Sequence, residues 1–165
     1  MKNSRNIFIF VNLVILIAYF NWSIHAKEQT IDHGRLVLLE LAPVDPRSLM
    51  QGDYMRLNYK INEVSDSLKL EKRGFCILTI NANGSGSRTR FQQNLLQLKK
   101  DEIGVKYFSN DTRFGNSIHV GAESFFFEEG QGKKYEQAKY GGIKVDQEGN
   151  SVLIGLYDQN LKLIK

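Results

Sequence analysis

The residues able to do chemistry are few and scattered. The 165-residue chain holds three histidines, His25, His33 and His119, and one cysteine, Cys76. The histidines lack the close spacing by which His and Cys pairs hold a structural zinc. A single cysteine excludes an internal disulfide. Cys76 also lies inside the apolar run Phe75–Ile80 (FCILTI), where a thiol is normally inert. The polar groups that could share one shallow pocket are Asp45, Arg47, Asp53 and Tyr54, joined by Glu129 from the turn after Phe125, Phe126 and Phe127. Three carboxylates, a guanidinium and a phenol can bind a small polar ligand through directed hydrogen bonds. The same residues also have a structural reading. Asp53 can accept bonds from turn amides, Gly52 suits a tight turn, and Pro43 and Pro46 stiffen the loop. These five residues form the candidate ligand or interaction site. No catalytic residue, metal or cofactor is assigned.

Charge narrows the partners. The chain carries 22 basic and 18 acidic residues, a formal net charge of +4. Lys2 and Arg5 precede the first apolar run, which leaves +2 for everything after it. The densest basic stretch, Lys69–Arg73, is interrupted by Glu71. A nucleic-acid binder needs a basic stripe that this chain lacks, so no nucleic acid is expected.

The amino-terminal segment sets where the chemistry takes place. Ile7–Ile24 (IFIFVNLVILIAYFNWSI) is 18 residues without a charge. As a helix it would extend ~27 Å, close to a hydrocarbon core of ~30 Å. Lys2 and Arg5 on its amino-terminal side direct that end to the cytoplasm. Tyr19, Phe20 and Trp22 stand where an interfacial aromatic belt belongs. A cleaved signal peptide is the other reading. Its apolar region would be shorter, and Ile24-His25-Ala26 is a poor small-residue cleavage site. Both readings put the rest of the chain outside the cytoplasm. Asn12, inside the run, either bonds to its own backbone or reaches across to another membrane helix.

The remainder reads as one β-rich domain. Residues 1–26 are the cytoplasmic tip and anchor, 27–34 a polar linker, and 35–165 the extracytoplasmic domain. Strands are expected at Arg35–Leu41, Phe75–Ile80, Arg88–Leu95, Ile103–Tyr107, Ser117–Val120, Ser124–Phe127, Ile143–Val145 and Val152–Leu156. Met55, Leu57, Tyr59 and Ile61 alternate with Tyr54, Arg56, Asn58 and Lys60. That period of two predicts a strand with one buried face. Glu63–Lys72 is open between a short helix and a loose connection. Lys133–Tyr140 reads as a helix stopped by Gly141 and Gly142. Strands at this spacing suggest a sandwich- or barrel-like domain with one short helix. The fold class is mainly β, preceded by a transmembrane helix.

Gly52-Asp53-Tyr54-Met55-Arg56-Leu57-Asn58-Tyr59 resembles the naming motif of the GDYXXLXY protein family. Leu41–Leu49 fits the lead-in to that motif. Phe125–Gly130, Tyr135–Gly141 and Val152–Leu156 resemble its carboxyl-terminal half. The resemblance implies a bacterial membrane-anchored protein that accompanies a multi-pass membrane protein. It implies no substrate, cofactor or catalytic residue. The run of Pro46, Leu49, Gly52 and Asp53 before a strand also has the turn type of the signal-peptidase box. There a serine precedes the proline, but here Val44 or Asp45 stands in its place and Ser48 follows it.

The expected role is therefore a non-enzymatic accessory subunit in the inner (cytoplasmic) membrane. Its contacts would be the lipid bilayer and a multi-pass inner-membrane protein, with Asn12 as the membrane contact. The alternative is an envelope hydrolase or small-ligand sensor built on the Asp45–Asp53 loop.

Overall fold

The computed structural model describes residues 2–42, 54–64, 70–112 and 115–165. An apolar run free of glycine and proline favours a helix, and α1 (Lys2–His33) takes in all of it. The helix does not stop with the apolar residues. It continues through the polar linker to His33 and ends where the Gly34 amide donates to the Thr30 carbonyl at 2.9 Å. Asn6–His33 is long and apolar enough to cross a membrane, and its apolar window has no residue buried against the domain. A helix apolar on all sides is stable only in a core or in lipid. Among the described residues no core covers this one.

Ten strands follow among the described residues. They are β1 (Arg35–Glu40), β2 (Tyr54–Arg56), β3 (Glu63–Val64), β4 (Arg73–Ile80), β5 (Ser85–Gln92), β6 (Glu102–Thr112), β7 (Gly115–His119), β8 (Ser124–Phe126), β9 (Tyr140–Val145) and β10 (Ser151–Tyr157). Eight form one sheet in the order β10-β9-β1-β5-β4-β6-β7-β3, while β2 and β8 make a separate two-stranded ribbon. β1 and β5 run parallel; the other pairs are antiparallel. The domain is thus mainly β, as the strand spacing predicts.

Among the described residues the sheet does not close into a barrel, but it curls strongly. The Lys106 amide in β6 donates to the Gly149 carbonyl at 2.8 Å. The Ser151 hydroxyl donates to the Val120 carbonyl at 2.6 Å. These bonds tie the β9–β10 hairpin, at one end of the sheet, to strands near the other. The main core lies within this curl and includes Val37, Leu39, Cys76, Leu78, Val105, Ile118, Ile143, Val145 and Leu156. Ile77 and Leu38 are buried on the opposite face.

Two local expectations change. Tyr54–Ile61 alternates in burial as its pattern predicts: Met55, Leu57, Tyr59 and Ile61 are buried, and the residues between them are exposed. Only Tyr54–Arg56 is a strand, however. Tyr59 makes an isolated bridge to Leu41, and Lys60–Asn62 turns as a 3-10 helix. Side-chain burial rather than ladder pairing maintains the period of two. The expected helix Lys133–Tyr140 is shorter, with α2 covering Gly132–Tyr135, and Tyr140 opens β9. Gly141 and Gly142 do not end a helix. They lie in β9, where a Cβ would stand 2.7 Å from the Tyr59 ring and 2.4 Å from the Tyr157 ring.

Candidate functional site

The motif residues divide into two groups by what they touch. Leu57 and Tyr59 are buried and hold separate segments together. The Leu57 amide donates to the Glu123 carbonyl at 2.7 Å, and the Ala42 amide to the Asn58 carbonyl at 2.8 Å. The Tyr59 hydroxyl donates to the Ala122 carbonyl at 2.5 Å. Burial, reinforced by the nearby Glu123 carboxylate, pushes this phenol well above its ordinary pKa. Glu123 in turn accepts the Val120 amide at 2.5 Å. This half of the motif is a structural knot joining the end of β1, the 120–123 loop and β9.

Tyr54 faces the other way. It is 39% exposed, and it pairs with Phe126 across the β2–β8 ribbon, with ring centroids 5.8 Å apart. Phe126 is 74% exposed. Phe125 and Phe127 turn inward and pack on Tyr135 at 4.9 and 5.6 Å between ring centroids. The triple phenylalanine therefore presents only its middle ring. Because the ribbon is antiparallel, Tyr54 at the start of β2 pairs with Phe126 at the end of β8. Glu129, exposed, sits in the turn leaving that end. Asp45, Arg47 and Asp53 lie outside the described residues. Of the five candidate residues, the structure places Tyr54 and Glu129 at the same end of the ribbon and adds Phe126.

Two clefts border the motif. One of about 460 Å³ is lined by Glu40, Ala42, Met55, Lys60, Tyr135 and Lys139, with Glu40 and Lys60 paired at 2.5 Å. The other, about 380 Å³, is lined by Arg56, Asn58, Asn62, Ser117 and His119 among others. Asn62 is 4% exposed, and its Oδ1 has no hydrogen-bond partner among the described residues. A buried carbonyl left unpaired is costly and marks a place where a donor is needed. Asn62 has no sequence signal, because its burial follows from the turn that replaces the expected strand.

Helix α1 carries two side-chain amides within its apolar stretch, Asn12 and Asn21. Asn21 donates back to the Ile17 carbonyl at 2.9 Å, the local bonding expected of an amide in lipid. Asn12 is exposed on the helix, and its side chain makes no such bond among the described residues. The local-bonding reading of Asn12 therefore has no bond behind it among the described residues.

Cys76 is fully buried, and burial pushes its thiol up to about 12. No cluster of three or more His, Cys, Asp or Glu side chains could hold a metal among the described residues. The family model described as GDYXXLXY protein matches residues 16–156. Searches of curated proteins and of solved structures found no match.

Proposed function

The chain belongs to the GDYXXLXY protein family, and on that premise we propose that it is a non-enzymatic accessory subunit of a multi-pass membrane protein. On this reading α1 is an uncleaved signal anchor in the inner membrane. Its amino terminus is cytoplasmic, set by Lys2 and Arg5, and the β domain is periplasmic. The observation that carries the reading is the Asn12 amide, exposed on an apolar helix and unpaired along its own backbone. An amide in hydrocarbon is stabilised by a hydrogen bond from a neighbouring helix. The Tyr54–Phe126 pair, with exposed Glu129 in the turn that follows Phe126, supplies a second contact surface outside the bilayer. Exposed aromatics mark interfaces when they cluster.

A photo-crosslinking side chain at position 12, tested in native membranes, checks this. The expected result is one discrete adduct with a membrane protein, absent when the crosslinker is moved to Val14, two residues on and so on the opposite face of the helix. Adducts with lipid alone at both positions would contradict the reading. A small-ligand sensor is the second reading, favoured by the unpartnered Asn62 Oδ1 in its cleft. That carbonyl would take a ligand bearing an N–H or O–H donor, with Arg56 available for an anionic group. Stabilisation of the chain by such a ligand, lost in Asn62→Ala, would support it.

A further inference from the structure

The loop joining β5 to β6 holds a leucine in water beside the membrane helix. Leu96 is 69% exposed, while Leu95 next to it packs over Gly104 on the sheet. The loop is built rather than loose. Gln92 Nε2 donates to the Asn94 carbonyl at 2.6 Å. The Leu96 amide donates to Asn94 Oδ1 at 3.1 Å, and the Lys99 amide to Glu102 Oε2 at 3.0 Å. Gln97 adopts a left-handed φ of 60° without being glycine, a conformation that surrounding contacts must enforce. The chain thus uses hydrogen bonds and backbone strain to keep an apolar side chain out of its core.

The location of this loop supplies the reason. Leu95 and Leu98 share a cleft of about 530 Å³ with Gln29, Thr30 and His33 of α1. Gln29 is five residues past Ile24, the last residue of the uncharged run. That is ~7 Å along a helix, and the headgroup layer beyond the hydrocarbon is of the same order. Lys99 and Lys100 follow Leu96 and are exposed, and Lys27 is exposed on α1 just past the aromatic residues. An apolar side chain flanked by lysines is the composition that seats on an anionic bilayer surface, with basic groups on the headgroups and the apolar group below them. The helix end is also fixed to the domain. Thr30 Oγ1 donates to Asp146 Oδ2 at 2.8 Å, and Lys144 Nζ donates to the Ile31 carbonyl. The loop therefore moves with the helix.

We propose that the 94–100 loop docks on the bilayer that α1 crosses, with Leu96 in the interface and Lys99 and Lys100 on anionic headgroups. This holds the β domain at a set tilt over the membrane. It rests on α1 being a membrane span, and the test separates the two.

Spin labels are placed singly on the full chain at Leu96→Cys, Ile15→Cys and Asn160→Cys, in nanodiscs with and without phosphatidylglycerol. Asn160 lies just past the end of β10 remote from α1, and buried Cys76 stays unlabelled. The readout is the collision rate with oxygen relative to an aqueous reagent. Docking predicts a several-fold higher ratio at 96 than at 160, greater with the anionic lipid and reduced by Lys99→Glu with Lys100→Glu. A label at 96 as aqueous as that at 160, while the label at 15 is deep, would overturn the docking alone. An aqueous label at 15 would overturn the span and the docking together.

Discussion

Gly141 lies against the edge of the Tyr59 ring, where a Cβ would come within 2.7 Å of the ring and 3.0 Å of its hydroxyl. Tyr59 cannot retreat, because it is fully buried and bonded to the Ala122 carbonyl. Gly141→Ala therefore overpacks the knot that the motif forms. The expected cost is about 1–3 kcal/mol, read as a lower midpoint in thermal or denaturant unfolding of the purified chain. Tyr59→Phe leaves the ring and removes the hydroxyl. It should cost about 1–3 kcal/mol through the buried carbonyl left unpaired.

That contact also shows where sequence reading succeeds and where it stops. Strands such as Phe75–Ile80 were legible because apolar runs act locally. The burial of Met55, Leu57, Tyr59 and Ile61 was legible for the same reason. Gly141 and Gly142 were misread as a helix stop. Their reason lies in Tyr59 and in Tyr157, partners distant in sequence that only the folded sheet brings close. Asn62 and Phe126 became site residues only through a turn and a ribbon pairing that local patterns do not encode. Asp45, Arg47 and Asp53 lie outside the described residues, so the pocket they would form stays a sequence expectation.

The joint between helix and domain rests on Thr30, which is 2% exposed and donates to Asp146. Burial raises the Asp146 pKa, but hydrogen bonds from Asn150, Thr30 and the turn amides outweigh it and hold the carboxyl below its usual range. Thr30→Val preserves shape and deletes the donor. A loss of about 1.5 kcal/mol is expected, at the low end for a hydrogen bond to a charged group. Hydrogen exchange should quicken in Gln29–His33 while β4 stays protected.

Acid should weaken the domain in a defined window. Arg90 grips Glu102 with two bonds, at 2.6 and 2.9 Å, and the Lys99 amide adds a third. The Glu102 carboxyl is lowered from 4.5 to about 2, first by Arg90 and then by that amide. A depressed carboxylate pKa stabilises the folded state above the unfolded value, and that contribution is lost as pH falls through the folded one. The chain should lose this contribution between about pH 4.5 and pH 2. Glu102→Gln should be less stable at neutral pH and flatter across that window, as read from melting temperature against pH.

The exposed ribbon should be separable from folding. Tyr54→Ala and Phe126→Ala remove exposed rings, so their melting temperatures should shift little. If the pair is a contact surface, the double variant should co-purify with less partner while remaining anchored. Unchanged recovery would remove the ribbon from the interface.

The central claim is that this chain is a subunit. Its most direct test is purification of the full-length protein from native membranes in mild detergent, followed by identification of what accompanies it. A near-stoichiometric multi-pass partner, depleted when Asn12 is changed to Leu, is the predicted result. A stable, intact, anchored protein recovered alone, with Asn12→Leu behaving identically, would contradict it.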